Sequence, residues 1–245
     1  MLKQYQLERL ELMKEILSCI GDNFILKGGS ALRFYYGLDR YSEDLDFDTI
    51  GNSMDIFKQL KLHRDFDSWK IYEKKVTEIS TRLTIDYGAK SELGDYPLKI
   101  DISGRDKIRL RNGLLKYSNV DGVNVYDIDT IIDLKSVAFC QRNKIRDFYD
   151  VGFLLENYPQ HFDDKTLANI VSKIMYSGID ELNAQLMDEV EKHSLIERVD
   201  DIEIVYCYAE KILEMIEKIQ NEKENTQVFG KLDEFELDKP RGPKQ

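Results

Sequence analysis

The sequence is poor in the residues that build disulfide frameworks, histidine metal sites and membrane spans. It has three cysteines, far apart in the chain, and three histidines, none of them near another. This pattern excludes a disulfide-stapled domain and argues against a histidine-rich metal centre. No apolar run of about 18 residues occurs, and the acidic residues of the first segment are not typical of a signal or transit peptide. We therefore expect a cytoplasmic protein with reduced thiols and no membrane span.

Positive charge is also in short supply, but it is unevenly distributed. The chain carries 35 Lys and Arg against 46 Asp and Glu, a net charge of −11. Residues 180–245 hold 18 acids and nine bases, whereas residues 99–116 hold six bases and two acids. An acidic chain is in general a poor partner for nucleic acid. The average nevertheless hides a basic patch.

The hydrophobic pattern predicts a mixed sheet followed by helices. Helical periodicity is found in residues 2–20, 53–65, 129–143, 146–158, 163–176, 179–192 and 199–222, and strand patterns in residues 44–48, 68–76, 78–87, 96–103 and 123–127. The segment "FILKGGSALRFYYG" predicts a short strand, a turn at Gly28 and Gly29, and a helix capped by Ser30. We expect an α+β protein with a core in residues 1–127, a helical C-terminal domain in 128–222 and a flexible charged tail in 223–245.

Carboxylates alternate with apolar residues in "DLDFD". Because side chains alternate along a strand, Asp44 and Asp46 leave one face while Leu45 and Phe47 enter the core. Two acids held side by side repel each other unless a cation lies between them, and Mg²⁺ prefers such oxygen ligands. Asp101, on the polar face of a later strand, is the third candidate ligand.

Three alternatives stay open for these acids. They can form a solvated acidic edge, and Asp86 competes with Asp101 for the third position. An EF-hand loop is disfavoured, because Thr49 stands where that loop requires glycine.

The Gly-Gly-Ser turn adds a second element. A strand, two glycines and a helix start leave backbone N–H groups unobstructed, which is how proteins cradle phosphate. An ordinary turn is the alternative for these residues alone. A cradle followed closely by two metal-binding acids predicts a nucleoside triphosphate bound with Mg²⁺ (or Mn²⁺), as in phosphoryl or nucleotidyl transfer.

Four motifs in order resemble those of the AbiEii/AbiGii-type nucleotidyltransferases, toxins of type IV toxin–antitoxin and abortive-infection systems within the polymerase-β-like superfamily. They are "LKGGSALRFYYGLDRYSEDLDF", "LKID", the lysine helix "LKSVAFCQRN" and the segment "RDFYDVGFLL". Serine replaces the commoner threonine after Gly-Gly, and Val151 stands where leucine is usual. The resemblance spans residues 26–155 and implies a nucleotidyltransferase-type mixed sheet with flanking helices.

The resemblance implies a role for each matching residue. The triphosphate would be held by Gly28, Gly29 and Ser30, the metals by Asp44 and Asp46, and Asp101 would act as base or third ligand. Lys135 and Asp150 match residues that the family needs for activity, with Asp147 the first acid of its pair and Lys99 the lysine before Asp101. Lys27 and Arg40 flank the site and are candidates for phosphate contact. Lys135 as an exposed lysine, and Asp147 and Asp150 as a structural helix start, stay open as alternatives.

The resulting hypothesis is a metal-dependent enzyme that moves NMP from an NTP to a hydroxyl and releases pyrophosphate. The family implies an RNA acceptor, a tRNA end, and a cognate antitoxin as a further partner. The basic residues Arg105, Lys107, Arg109 and Arg111 would hold the RNA backbone, or else lie in a solvated hairpin. A protein hydroxyl as acceptor, and an idle fold that binds nucleotide without chemistry, are the competing hypotheses.

Overall fold

The mixed sheet comes first along the chain, and most of the helices follow it. The computed structural model describes residues 2–193 and 205–237. Its strands are β1 (Phe24–Lys27), β2 (Asp44–Thr49), β3 (Lys70–Val76), β4 (Ser80–Asp86), β5 (Lys90–Ser91), β6 (Gly94–Asp95), β7 (Leu98–Ser103), β8 (Tyr117–Val120) and β9 (Val123–Tyr126). Its helices are α1 (Gln4–Cys19), α2 (Gly28–Tyr35), α3 (Phe57–Leu60), α4 (Lys107–Arg111), α5 (Ile128–Gln141), α6 (Ile145–Asn157), α7 (Asp164–Ser177), α8 (Ile179–His193) and α9 (Tyr208–Leu237). The predicted α+β class is confirmed.

Seven strands form the main sheet in the order β3-β4-β7-β2-β1-β9-β8. The pairs β2–β7 and β1–β9 are parallel and the others are antiparallel. The short strands β5 and β6 form a separate hairpin. The two strands that carry the candidate acids, β2 and β7, are therefore direct neighbours near the middle of the sheet.

The apolar residues between the acids are buried, as their alternation predicts. Leu45 and Phe47 on β2, and Ile100 on β7, have no exposed surface. Removing such side chains from water contributes about 25 cal/mol per Å² of apolar area, which makes the register costly to change. The core therefore fixes which face of the sheet carries the acids.

The helical half packs around α6. This helix contacts α5, α8 and α9, and its Phe148, Val151 and Leu154 are fully buried. Helix α5 follows β9 directly, with one residue between them, so the sheet and the helices meet at Asp127. This connection brings α5 and α6 beside the acid-bearing face. None of the described helices has the length and apolarity needed to cross a bilayer.

Several predicted boundaries are wrong. The helix expected over 53–65 is reduced to α3 and a following turn. Ser30 does not cap α2, because the helix begins at Gly28 with Lys27 before it. The segment 105–116 forms the short helix α4 and a turn, not a hairpin.

The C-terminal boundaries also differ. Helix α9 continues to Leu237 and so includes residue 223, where the predicted tail begins, since no proline interrupts it before that point. The flexibility of the tail stays a prediction. Residues 199–204 of the predicted last helix and residues 238–245 of the predicted tail lie outside the described residues. The division between residues 127 and 128 stays a prediction.

Candidate active site

The three predicted metal ligands share one face of the sheet. Asp46 on β2 is the direct parallel partner of Asp101 on β7, and Asp44 is the partner of Lys99. Asp44 and Asp46 lie on the same side of β2 because they are two residues apart. The predicted third carboxylate is therefore beside the pair. Asp86, the alternative, lies on β4, which β7 separates from β2, and accepts a hydrogen bond from the Gly88 N–H at 3.0 Å.

The pair Asp44 and Asp46 is electrostatically strained. Burial raises the pKa of Asp46 to about 6, and the carboxylates of Asp44 and Asp101 act in the same direction, against Lys27. Burial also raises the pKa of Asp44, which Lys99 opposes. In addition, Asp44 Oδ1 is buried and has no hydrogen-bond partner among the described residues. An orphaned carboxylate oxygen beside a second acid fits a cation ligand, because a cation would satisfy both groups.

Asp101 is held differently from the other two acids. Its carboxylate accepts two hydrogen bonds from Arg82 on β4, at 2.6 Å from Nε and 2.9 Å from Nη2. This pair is partly exposed, with half of the Arg82 side chain open to solvent. Arg82 therefore competes with a cation or a hydroxyl for the Asp101 oxygens, and exposed pairs of this kind exchange at small cost.

A different group of side chains has ligand atoms close together. Within residues 2–193 and 205–237, Glu15, His63 and Asp65 have ligand atoms within 4.8 Å of one another. However, Arg64 already contacts both acids, and the His63 ring bonds to Glu15 and to the Asp65 backbone. The charges of this group are thus compensated within the protein. An EF-hand loop is excluded because Asp44, Asp46 and Asp48 lie on a strand.

The glycine turn is packed directly against the acids. Gly28 has φ of +74°, and a Cβ at this residue would lie 2.8 Å from Asp46 Oδ2. A Cβ on Gly29 would lie 2.8 Å from an Arg40 guanidinium nitrogen. Both positions thus require glycine, the first for its backbone conformation and both for close approach. The predicted turn is instead the junction of β1 and α2, with both glycines in the first turn of the helix, and this glycine turn contacts the site.

Ser30 and Lys27 fix this turn to β2. The Ser30 hydroxyl is buried and donates to the Asp44 backbone oxygen. Lys27 Nζ donates to the buried carboxylate of Asp48 at 2.7 Å, and the Tyr126 hydroxyl donates to the other oxygen of that acid. Asp48 was not predicted as a site residue, although its alternation with Asp44 and Asp46 was visible in the sequence. The phosphate contacts of Ser30 and Lys27 stay predictions.

Lys135, Arg40 and Asp150 form a buried charge network behind the turn. Lys135 Nζ lies 2.5 Å from Asp150 Oδ2, and Arg40 donates to both oxygens of this acid at 2.5 and 2.7 Å. Burial alone would raise the pKa of Asp150, but Arg40 and Lys135 outweigh it and hold the pKa at about 2. Asp150 has no exposed surface. It therefore orients the two cations and does not itself reach a substrate.

Asp147 holds an arginine that the sequence analysis did not single out. Arg142 donates to both Asp147 oxygens at 2.6 and 2.8 Å, and half of its side chain is exposed. It lies one residue after α5 and five before Asp147, which is the only signal that the sequence offered. The hydrogen bonds to Asp147 raise the pKa of Arg142, and the negative charge of the site acids, Asp46 among them, raises it further.

Two cavities meet at Asp46. The first, the lysine cleft, has a volume of about 320 Å³ and is lined by Lys27, Gly28, Lys135, Arg142 and an apolar wall of Ile131 and Leu134. The second, the β4 groove, has a volume of about 900 Å³ and is lined by Tyr72, Lys74, Arg82, Lys99, Asp101 and Lys144. Asp46 and Arg142 line both cavities, whereas Asp44 and Asp101 line only the groove. The site thus has two separate approaches to one acid.

The predicted RNA-binding residues lie on α4 or just before it. Lys107 and Arg111 both donate to the Asn52 side chain, at 3.3 and 3.2 Å, and Asn52 lines neither cavity. Arg109 pairs at 3.0 Å with Asp106, which lines the lysine cleft, and Arg105 is exposed. Among these bases, Arg109 is therefore the one that a contact connects to the cleft.

A mixed sheet with acids on two neighbouring parallel strands, and a glycine turn packed on one of them, defines a nucleotidyltransferase fold. The sequence profile of the family described as "Nucleotidyl transferase AbiEii toxin, Type IV TA system" matches residues 12–224. The chain belongs to this family, as the motifs predicted.

The chain is also similar to three further proteins. JHP933 from Helicobacter pylori has a crystal structure that is 25% identical, covering 95% of this chain and 100% of its own, with a TM-score of 0.74. A second H. pylori crystal structure, provisionally described as a nucleotidyltransferase, is 27% identical over 92% of this chain and 99% of its own, with a TM-score of 0.73. The Aquifex aeolicus protein aq_aa25, itself uncharacterized, is 30% identical over 184 residues, which is 73% of this chain and 78% of that protein.

Proposed function

We propose that the protein transfers a nucleoside monophosphate from an NTP to a hydroxyl group and releases pyrophosphate. The observation that carries the proposal is the contact between the glycine turn and Asp46, at the mouth of the lysine cleft. Backbone N–H groups of the first turn of α2, lysines and the buried carboxylate of Asp46, whose pKa burial raises, meet there. This combination suits a triphosphate that arrives with its cation.

Asp44, Asp46 and Asp101 are the residues that would hold a divalent cation, Mg²⁺ or Mn²⁺. The raised pKa of Asp46 and the orphaned Asp44 Oδ1 support this ligand set. When bound, the cation would neutralise negative charge on the triphosphate and on the reacting oxygens. Lys135, oriented by Asp150, and Lys27, oriented by Asp48, add fixed positive charge in the cleft.

The transfer itself follows from the two approaches to Asp46. With the NTP in the lysine cleft, the acceptor hydroxyl enters from the β4 groove, where Asp101 lies. The hydroxyl oxygen forms a bond to the α-phosphorus while the bond from that phosphorus to the pyrophosphate oxygen breaks. Asp101, once released by Arg82, accepts the hydroxyl proton, and pyrophosphate leaves from the cleft side.

We further propose RNA as the acceptor, with α4 as a more distant contact for its backbone. The motif resemblance, which implies an RNA acceptor, and the basic residues Arg105, Lys107, Arg109 and Arg111 support this choice. The description of the family as a toxin supports a growth-inhibiting role, held in check by a cognate antitoxin. The competing acceptor is a protein hydroxyl, which the net charge of −11 favours.

One experiment tests both levels of this proposal. The purified protein is incubated with Mg²⁺, each labelled NTP in turn, and total cellular RNA or extract. We expect labelled RNA that ribonuclease destroys. Asp46→Ala should label RNA about a thousandfold more slowly, because it removes several kcal/mol of charge stabilisation and each 1.4 kcal/mol lowers the rate about tenfold. No label in any fraction with the wild-type protein contradicts nucleotidyl transfer. Label that resists ribonuclease and is lost to protease assigns a protein acceptor.

A further inference from the structure

The β4 groove has the features of a binding surface for a single polynucleotide strand. An exposed aromatic ring, Tyr72, lies at its outer end, and the site acids lie at its inner end. Among its lining residues are five bases, which are Lys74, Arg82, Lys99, Arg142 and Lys144. Aromatic rings stack on unpaired bases while lysines and arginines hold the phosphates.

The strand register gives this groove a direction. Tyr72 on β3 pairs with Thr84 on β4, Thr84 pairs with Lys99 on β7, and Lys99 pairs with Asp44 on β2. These four residues form one row across the sheet. Because neighbouring strands are about 4.8 Å apart, Tyr72 lies about 14 Å from Asp44 along the row. This length accommodates a few nucleotides between a stacked base and a reacting end.

Basic side chains flank this row. Lys74 is exposed and lies 5.1 Å from the centre of the Tyr72 ring, so cation and aromatic form one platform. Lys144 is exposed and lines the groove from the segment immediately before α6. Arg82 lies on β4 as the register partner of Asp101 and is half exposed. Phosphates crossing the sheet would thus meet bases from the sheet and from the helical half.

From this arrangement we propose that the groove binds the single-stranded 3′ end of the acceptor RNA, with Tyr72 as the stacking platform and Lys74 and Lys144 as phosphate contacts. The inference rests on the proposed nucleotidyl transfer and assigns its acceptor subsite. Arg82 belongs to the same surface: an arriving phosphate offers it a second partner, so that Asp101 is released when the acceptor is in place. Neither Tyr72 nor Lys74 belongs to the motifs that carry the family resemblance.

The groove is balanced in charge without a cation. Its five bases are matched by five acids, which are Asp44, Asp46, Asp86, Asp95 and Asp101. A divalent cation at the first two and Asp101 would leave the groove positive. RNA binding should therefore be tighter with Mg²⁺ than with EDTA.

Binding is measured by fluorescence anisotropy with a labelled single-stranded RNA octamer that has a free 3′ hydroxyl, in Mg²⁺ and without NTP. The variant Lys74→Glu/Lys144→Glu should bind at least about tenfold more weakly, and its salt slope should fall by about 1.4, since each contact with a single strand contributes about 0.7. Tyr72→Ala should weaken binding about tenfold, and Tyr72→Trp should restore it. Lys58→Glu/Lys61→Glu is the matched control, because both lysines are exposed and line neither cavity.

Equal octamer binding by the wild type and the double groove variant overturns the inference. So does a loss with Tyr72→Ala that Tyr72→Trp does not restore, since stacking would then not be involved. NTP binding by calorimetry and labelling of total RNA are followed in parallel. If the wild type and Lys74→Glu/Lys144→Glu label RNA equally, the groove assignment fails and the proposed function stands. If the wild type neither binds NTP nor labels RNA, the proposed function itself fails.

Discussion

Lys135 and Asp150 are joined by a charged hydrogen bond of 2.5 Å between two neighbouring helices, and Arg40 reaches the same carboxylate from the segment before β2. Removing the negative charge leaves two buried cations without a counter-charge. Asp150→Asn should therefore lower the free energy of unfolding by about 3–5 kcal/mol, as for other broken buried pairs. Urea unfolding at pH 7 measures this change.

Two variants separate this network from general effects of amide substitution. Asp39→Asn is the matched control: Asp39 is half-buried and accepts a hydrogen bond from Tyr149, which an amide oxygen can replace. Lys135→Met should cost less stability than Asp150→Asn, because Asp150 keeps Arg40. If Asp150→Asn is as stable as the wild type, the carboxylate does not carry this charge in solution.

Asp46 makes the metal-free protein less stable as the pH rises. Its folded pKa of about 6 lies above its ordinary value of 3.8, so the folded state binds more protons between these values. Stability is lost on this account as the pH rises from about 4 to about 6. Asp46→Asn should be about 1–3 kcal/mol more stable than the wild type in EDTA at pH 7.5, with no gain below pH 4.

Thermal or urea unfolding across this pH range, with EDTA present throughout, tests the prediction. Asp95→Asn removes an exposed acid of the same groove and should show no such pH-dependent gain. A gain of equal size at pH 4 and pH 7.5 would mean that the substitution acts through packing and not through the charge of Asp46.

Gly28 should tolerate no larger residue because of its close approach to Asp46, which Gly37 does not share. Gly28 and Gly37 both have positive φ, +74° and +79°, but only at Gly28 would a Cβ meet another residue within 4 Å. Both alanine variants should lose about 1 kcal/mol of stability from backbone strain. Gly28→Ala alone should also lose at least tenfold in NTP affinity or transfer rate, because its methyl group displaces the Asp46 carboxylate.

The comparison of these two variants isolates the close approach from the backbone strain. Calorimetry with NTP and Mg²⁺ measures the NTP affinity, a labelling assay measures the transfer rate, and urea unfolding measures the stability. Equal loss of activity in Gly28→Ala and Gly37→Ala would show that strain, and not contact with Asp46, limits the turn.

Withdrawal of the cation should weaken nucleotide binding. Without it, the triphosphate faces Asp44 and Asp46 directly, and like charges at short range repel. Titration calorimetry should give at least about tenfold weaker NTP binding in EDTA than in Mg²⁺. In Asp44→Asn the difference between the two conditions should shrink. The same affinity in both conditions for the wild type would contradict the assignment of the acids as cation ligands.

The sequence predicted the arrangement of the acids well because alternation on a strand is a local property. Asp44, Asp46 and Asp101 needed only strand periodicity, and Gly28 only the turn that follows a short strand. The helix over residues 53–65 failed for a related reason: its apolar spacing was helical, but the segment packs its apolar residues from a turn. Local patterns determined the elements more reliably than their ends.

Pairings between distant residues were beyond the reach of periodicity. That Arg40 meets Asp150, and that Arg82 takes both oxygens of Asp101, depends on which strands and helices become neighbours. Arg40 and Lys27 were expected at phosphate, yet each is bound to a buried acid. Tyr72 and Lys74 acquire their place beside the acids only through the strand order β3-β4-β7-β2.

The contact between Arg40 and Asp150 spans 110 positions of the chain. During synthesis, all three acids of the site have been made once residue 101 is in place, but the carboxylate that orients Arg40 and Lys135 comes about 50 residues later. At about 5–20 residues per second, a ribosome needs about 3–10 s for this distance. A chain still being translated therefore passes through an interval in which its three acids are present before Lys135 and Asp150 have been made, and the buried charge network behind the glycine turn can form only after residue 150 of the 245 has been added.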